Sequence, residues 1–402
     1  MRNYREQFKE ILKGTKEVID PGALEQRLFL SEKNNLPLRV KLGADPTAHS
    51  LHIGHMVPVH KLKQFQDFGH NVIFLLGDFT ARIGDPTGRS VKRDILSREE
   101  VKSFMKGYLT QIFKVLEESK TTVHYNSEWF GNLNIYNFIS DIASKYTVAQ
   151  LIARDDFNTR YISNKPIAIS EFLYPLLQAY DSIALKADIE IGGNDQLFNF
   201  IIARQLQVQF GQEPEVIITL PTIRGRDGKE KMSKSLENTI NLSDSPEEMY
   251  GKIMSINDDV MLEYYDILSS KASDDIKRIK EGVIHPKSAK EELALEITTL
   301  YHSLEKAKEA KEKFDKQFVR KEVPDDLEEI SIKSKQPLNV VDLIYKTGAI
   351  HSRSEVRRLI QQKGVRIDGF VVDSQEKIYD FGAHLINIGK RRYIKTTIKN
   401  EE

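Results

Sequence analysis

LRVKLGADPTAHSLHIGH, residues 38–55, decides the fold. The apolar run Leu38 to Leu42 ends at a glycine and gives way to an Asp-Pro-Thr turn, and the pattern Val57, Leu62, Phe65 then reads as a helix that stops at Gly69. Pro58 confines the start of that helix to its own neighbourhood. A second copy of the same grammar follows in VIFLLGDFTARIGDPTGRS, residues 72–90, again an apolar run leading into Asp-Pro-Thr. Two further short apolar runs, Ile189 to Ile191 and Val216 to Leu220, are separated from these by helix-length segments. That alternation predicts an α/β fold with parallel strands. Both turns then lie at one sheet edge, in the crevice beyond the carboxyl ends of the strands where open α/β sheets bind ligands.

Outward from this centre, residues 1–35 read as helical, with Phe8, Ile11, Leu12, Leu24 and Leu28 spaced among charges. From Ser243 to about Lys321 the pattern is again helical. The stretch RKEVPDDLEEISIKSKQP, residues 320–337, is charged, carries two prolines and reads as a linker. The expected division is therefore 1–222, 223–325, a linker 326–336 and a small unit 337–402. That last unit holds 12 Lys and Arg against 8 Asp and Glu, although the whole chain balances at 59 of each. Neutrality overall excludes a uniformly basic nucleic-acid coat and conceals a basic tail. The absence of cysteine excludes disulfides, thiolate metal sites, iron–sulfur clusters and thiol nucleophiles. No apolar run approaches the ~20 residues that span a bilayer, and the charged amino terminus adds to the expectation of a soluble cytoplasmic protein outside any membrane.

Four constellations carry chemistry. His52 and His55 flank Gly54 at a loop-to-helix junction, where imidazole N–H groups and the helix dipole favour phosphate oxygens; alone, the string fits a capped surface helix equally well. Lys231-Met232-Ser233-Lys234-Ser235 lies in a polar, glycine-containing stretch expected to be a mobile loop, and two ammonium groups on such a strap can close over a departing pyrophosphate. A solvated basic loop is the plain alternative. In SEFLYPLLQAYDSIAL, residues 170–185, Tyr174, Gln178 and Asp181 stand at i, i+4 and i+7, so one polar stripe of a helix holds all three beside an apolar face of Leu173, Leu176, Leu177 and Tyr180. The stripe fits both ends of a polar amino acid and fits an amphipathic helix with a wet face. In IGGNDQ, residues 191–196, Gly192 and Gly193 leave room for a ligand while Asp195 can accept from ribose hydroxyls; a strand-terminal turn has the same composition.

The order HIGH then KMSKS on an α/β chain resembles the class I aminoacyl-tRNA synthetases, and the stripe helix followed by DIEIGGNDQLFN narrows the resemblance to the tyrosyl-tRNA synthetases. It covers nearly the whole chain. The tail NVVDLIYKTGAIHSRSEVRRLIQQKGVRIDGFVV, residues 339–372, is similar to the S4 RNA-binding module, with a helix from about Ser354 that places Val356, Leu359 and Ile360 inward and Arg353, Arg357 and Arg358 on a basic outer edge. Asp368-Gly369 suits a hairpin turn. What the resemblance implies is a Rossmann-like parallel-sheet catalytic domain, a helical domain and a small α+β RNA-binding domain. It implies activation of tyrosine by ATP with release of pyrophosphate, then transfer to the 3′ end of tRNA(Tyr). Catalytic roles fall to His52, His55, Lys231 and Lys234. ATP contacts fall to Asp45, Thr47, Gly54, Gly193, Asp195 and Arg89. Tyrosine contacts fall to Lys41, Asp85, Tyr174, Gln178, Asp181 and Gln196, with Asp181 accepting from the phenol. Mg2+ accompanies ATP as substrate, no resident metal or organic cofactor is implied, and the family is homodimeric through an insertion at roughly 120–170.

Two positions depart from the family pattern. Lys41 stands where the best-known members carry a tyrosine at the substrate hydroxyl; it can donate to the phenol oxygen, pair with Asp181, or reach solvent from the end of its strand. Pro58 lacks a backbone donor where a small or hydroxyl residue is common, so contacts to the ATP ribose differ there. A tryptophanyl relative, an RNA-binding protein with a silent catalytic body and an adenylyltransferase acting on a small metabolite are the competing readings. The first would lack the stripe of Tyr174, Gln178 and Asp181, intact HIGH and KMSKS argue against the second, and the third would not need the basic tail.

Overall fold

The structure, a computed structural model, describes residues 2–87, 96–269, 271, 273–319, 327–389 and 392–401. It divides into two compact units, residues 1–308 and 309–402.

The first unit is built on a six-stranded sheet: β1 (Glu17–Ile19), β2 (Arg39–Ala44), β3 (Asn71–Leu76), β4 (Thr121–Tyr125), β5 (Ile189–Gly193) and β6 (Val216–Leu220), in the order β1-β6-β5-β2-β3-β4. All neighbours run parallel except β1, which pairs antiparallel with β6. The strands read as continuous apolar runs because both faces are covered: all five residues of β6 and five of the six in β3 are buried. Each fully buried Ile, Leu or Val there contributes about 1.5–3 kcal/mol relative to exposure.

Chain order proceeds from β2 to β3 and β4 in one direction and from β5 to β6 in the other. The topological switch point therefore lies between β2 and β5, the place where an open α/β sheet leaves a crevice. Helix Ile53–Phe68 packs over β2, β3 and β5, and helix Ile169–Leu185 pairs with helix Leu197–Gln209. The expected strands are all present. Two were not anticipated, β1 and β4, the latter because TTVHY is polar and only half-buried at the sheet edge. Helices Pro246–Met254, Asp258–Leu268 and Pro286–Tyr301 pack together in the same unit, with the buried tyrosines Tyr250, Tyr264, Tyr265 and Tyr301 among them.

The second unit has a five-stranded sheet and a two-stranded one, formed by β7 (Glu328–Ser334), β8 (Leu338–Asn339), β9 (Val365–Ile367), β10 (Phe370–Val371), β11 (Ile378–Tyr379), β12 (Gly382–Ile388) and β13 (Arg392–Asn400). Helices Val340–Lys346 and Arg353–Gln361 share with it a core of Val340, Leu343, Ile344, Val356, Ile360, Val365 and Ile386. The stretch expected as a linker, 326–336, contains β7, which runs parallel to β13. Its charges hide a two-residue period in which Ile332 and Ser334 turn inward while Glu329, Ser331 and Lys333 face water. Asp368 and Gly369 both take positive φ, 53° and 85°, and close the β9–β10 hairpin as the sequence suggested.

Candidate functional site

A cavity of about 550 Å³ opens at the carboxyl ends of β2 and β5. It is lined by Lys41, Asp45, Thr47, His52, Gly54, His55, Asp85, Tyr174, Gln178, Asp181, Gly193, Asp195, Gln196, Lys231 and Lys234, which gathers the residues singled out in the catalytic body from five separate segments. Arg89 lies outside the described residues.

One end is a closed polar network. Asp181 is buried, and its two oxygens accept from Trp129 Nε1 at 2.9 Å and Asn126 Nδ2 at 3.5 Å. Burial raises its carboxyl to about 7, against the pull of the Lys41 charge. Two turns of helix away, the Tyr174 hydroxyl donates to Asp45 Oδ2 at 3.0 Å, which leaves its oxygen lone pairs to accept from a ligand cation. Asp45 Oδ1 accepts from Thr80 Oγ1 at 2.7 Å. A Cβ at Gly77 would lie 2.1 Å from that same Asp45 oxygen, so only glycine fits beneath the turn. Gln178 Oε1 and Gln196 Oε1 both accept from Asn199 Nδ2, and Gln196 Nε2 donates to Asp85 Oδ2 at 2.8 Å. Asp85 is fixed in turn by the amide and hydroxyl of Thr87. An ammonium entering between Tyr174, Gln178 and Asp85 would therefore meet oxygens already oriented.

Lys41 is neither at a strand end nor in solvent. It sits in the middle of β2, 1 % exposed, with Nζ 2.8 Å from Glu190 Oε1 and 2.7 Å from Ser182 Oγ. Of the possibilities the sequence left open, pairing with Asp181 gives way to pairing with Glu190, because the β2–β5 register sets Lys41 directly opposite Glu190 and a buried ammonium takes the nearest carboxylate. The sequence carried one signal for this partner, an acidic residue inside the apolar run of β5.

At the other end, His52 caps helix Ile53–Phe68 and the two imidazoles lie with ring centroids 3.7 Å apart. His55 Nδ1 accepts from the His52 backbone N–H at 3.2 Å, which leaves Nε2 as the protonated nitrogen of a neutral ring. Burial lowers His52 to about 2 and His55 to about 4, with the Lys234 charge adding to the effect. Both are neutral hydrogen-bonding groups at pH 7, and His52 Nδ1 is buried with no partner. A Cβ at Gly54 would press to 3.0 Å against the His52 ring. Beyond β5, Asp195 approaches Gly193 so closely that a Cβ there would meet its Oδ1 at 2.4 Å. Burial raises the Asp195 carboxyl, opposed by Lys231.

The KMSKS strap is docked. Met232 is buried and its N–H donates to Ile223 O at 2.9 Å, while Asn238 accepts from the Ser233 N–H and donates to Lys231 O. Lys234 Nζ donates to Ser50 O between the first Asp-Pro-Thr turn and His52. Sequence reading assigned no role to Asn238, Asn199, Trp129 or Asn126; Asn199 ends the string DIEIGGNDQLFN and Asn238 follows the KMSKS strap, while Trp129 and Asn126 belong to no recognised string.

In the second unit, Val356 and Ile360 are buried on helix Arg353–Gln361 and Arg357 and Arg358 are exposed. Arg353 is tied down: Nε donates to Asp342 Oδ1 at 2.8 Å and its guanidinium stacks 4.2 Å over Tyr345.

Residues 33–319 match the family described as tRNA synthetases class I (W and Y), and residues 339–385 match the S4 domain. The chain is 46 % identical over 403 residues to a tyrosine–tRNA ligase of Coxiella burnetii, covering 99 % of this chain and 100 % of that one. It is 45 % identical over 398 residues to a tyrosine–tRNA ligase of Oleidesulfovibrio alaskensis, covering 98 % and 99 %. Among solved structures, a C-terminally truncated mitochondrial tyrosyl-tRNA synthetase of Aspergillus nidulans superimposes with a TM-score of 0.65 at 24 % identity, over 79 % of this chain and 95 % of that one. The tyrosyl-tRNA synthetase of Archaeoglobus fulgidus, complexed with L-tyrosine, gives 0.62 at 23 % over 77 % and 99 %, a likeness of fold.

Proposed function

The chain belongs to the class I tRNA synthetases of the tryptophan and tyrosine type, and from that membership we propose that it is a tyrosine–tRNA ligase. It joins tyrosine to ATP as tyrosyl-adenylate, releases pyrophosphate, and passes the tyrosyl group to the 3′ end of tRNA(Tyr). The observation that carries the choice of tyrosine is the buried Asp181 at the closed end of the cavity. A carboxylate there gains a charged hydrogen bond from a phenol and is left without it by phenylalanine, a difference of about 1.5–3 kcal/mol for one such bond. Tryptophan offers an indole N–H, set differently on a larger ring.

In this reading the substrate ammonium lies among Tyr174, Gln178 and Asp85, and its carboxylate near Gln196. Asp195 takes the ribose beside Gly193, and Asp45, Thr47 and Gly54 border the nucleotide. Lys41 belongs to the tyrosine end of the cavity, and Arg89 is assigned to the pyrophosphate by resemblance alone. The carboxylate oxygen of tyrosine attacks the α-phosphorus, the bond to the bridging oxygen breaks, and pyrophosphate leaves with the electron pair. His52 and His55 donate to phosphate oxygens as neutral imidazoles, and Lys231 and Lys234 meet charge that grows on the leaving group. Mg2+ enters as the counter-ion of ATP. No covalent enzyme intermediate is needed, because binding both reactants in line supplies most of the acceleration.

Residues 1–222 carry activation, 223–325 the strap and helices, and 337–402 hold RNA through Arg357 and Arg358, with Arg353 braced behind them. A homodimer in the cytoplasm completes the proposal. Its support is the apolar surface of the segment before the tyrosine helix, where Ile135, Tyr136, Ile162 and Ile169 are exposed. No helix among the described residues is long and apolar enough to cross a membrane.

ATP–pyrophosphate exchange tests the reading, run with tyrosine, phenylalanine, tryptophan or no amino acid and with Lys234→Ala as control. Exchange confined to tyrosine and lost in the control supports it. Exchange with tryptophan would mean the helix selects an indole, and none at all would leave an RNA-binding protein.

A further inference from the structure

Beneath the closed end of the cavity lies a second layer of charge that the reaction does not use. Lys41 of β2, Glu190 of β5 and Ser182 of helix Ile169–Leu185 form a triangle: Lys41 Nζ donates to Glu190 and Ser182, and Ser182 Oγ donates to Glu190 Oε2 at 3.0 Å. Glu215, just before β6, is wholly buried against the same group, and neither of its carboxyl oxygens has a partner at normal hydrogen-bond geometry. Burial, then the Glu190 charge, pushes the Glu215 carboxyl well above its usual range, against the pull of the Lys41 charge. One ammonium thus serves three carboxyl groups, Glu190 by direct contact and Glu215 and Asp181 through space.

A buried ion pair of this kind is costly, and an apolar pair of equal volume would serve stability as well or better. Its position at the switch point, lining the floor of the cavity, suggests a different use. We propose that Lys41 is a positioning residue for tyrosine selection: anchored by Glu190 and Ser182, its ammonium holds Asp181 as a carboxylate, the form that accepts from a phenol. The inference rests on the reading of Asp181 as the phenol acceptor and adds what keeps it ionised.

The groups facing Asp181 support this balance. From β2 comes the Lys41 charge, which favours the carboxylate, and from β5 the Glu190 charge, which opposes it more weakly. Trp129 and Asn126 donate to the carboxylate from the segment after β4. Burial pushes the Glu215 carboxyl before β6 well above its usual range, and Tyr174 on the same helix is held protonated by burial. Asp181 itself is poised at about 7, where loss of one neighbouring charge changes its occupancy most. The histidines at the far end titrate well below that point.

The experiment measures the KM for tyrosine in ATP–pyrophosphate exchange from pH 5 to 9 for the full chain, the double variant Lys41→Met/Glu190→Gln and the single variant Glu190→Gln. The double variant removes the ion pair without stranding a charge. Its acid limb should move to higher pH, raising the tyrosine KM about tenfold at pH 7 for each unit of displacement, with kcat nearly unchanged and the KM restored at pH 9. Glu190→Gln alone leaves Lys41 to act on Asp181 unopposed, and its limb should move to lower pH. Opposite displacements are not produced by a merely structural pair. Limbs coincident with the unmodified protein in folded variants would overturn the inference. Should the double variant fail to fold, Glu190→Gln decides, since an unmoved or raised limb sinks the idea. If the unmodified protein shows no tyrosine-dependent exchange, the reading of the site falls first, and that failure is visible before any variant is made.

Discussion

The two ends of the cavity solve opposite problems with the same kinds of residue. At the tyrosine end nearly every polar atom already has a partner: Asp181 with Trp129 and Asn126, Tyr174 with Asp45, Gln178 and Gln196 with Asn199, Lys41 with Glu190 and Ser182. At the phosphate end His52 Nδ1 is buried and unpartnered, and the Lys234 ammonium borrows a backbone carbonyl at Ser50. A network satisfied in advance presents a fixed shape and a fixed charge, which favours discrimination between side chains. Donors satisfied only when a polyanion arrives favour stabilisation of charge that develops late, since they lose little on leaving the resting state. Mutations at the first end should therefore register in substrate choice, and mutations at the second in turnover.

The largest effect should come from the phosphate end. Lys234→Ala is expected to lower kcat for pyrophosphate exchange by about 10²–10³ with the tyrosine KM unchanged. A raised KM with intact kcat would break the division, placing the strap in ground-state binding. Next is Asp181→Asn, which should lower kcat/KM for tyrosine by roughly 10- to 100-fold, the worth of one charged hydrogen bond, while phenylalanine is used as poorly as before. The same variant should also change stability. The Asp181 carboxyl is raised on folding to about 7, so the native state loses stability as pH climbs from about 4 to 7. Thermal unfolding at pH 8 should therefore show Asp181→Asn melting above the unmodified protein. A lower melting temperature would mean that the carboxylate is a net structural asset.

A smaller effect separates activation from the RNA step. Arg357→Glu with Arg358→Glu should leave pyrophosphate exchange untouched and raise the tRNA KM in charging by about tenfold, with a shallower dependence on salt. The smallest concerns the buried histidines. His52, His55, His60 and His70 are all held below their ordinary value by burial, the last three at about 4. Their contribution is complete above about pH 6.5 and is lost as pH falls toward 4, because the unfolded chain takes up the protons. Urea midpoints across that window should drop, and His60→Leu, which removes a group paired with Tyr301 outside the cavity, should flatten the slope by about one proton. An unchanged slope would show that His60 ionises within the folded protein.

Much of this was legible in one dimension. The strands β2, β3, β5 and β6, the two Asp-Pro-Thr turns at neighbouring strand ends, and the stripe of Tyr174, Gln178 and Asp181 all follow from apolar runs and from the helical period. What escaped were short or polar elements and polar residues whose partners lie far away in sequence. β4 and β7 have too few apolar residues to announce themselves, and both are held by pairing with a neighbouring strand. Asn199 and Asn238 look like ordinary polar residues until burial forces each to bind several partners.

Spacing along the chain dictates which chemistry can be assembled: two histidines at a helix start, two lysines on a strap, a polar stripe and a basic tail. Those are local facts. The tertiary structure decided who faces whom. Lys41 meets Ser182 across 141 residues of chain and Glu190 across a strand register, and Trp129 reaches Asp181 from a segment that no motif marks. Such pairings depend on strand order and on the packing of helices over the sheet. A buried charge takes whichever partner that packing delivers, and the identity of a single residue cannot say which one it will be.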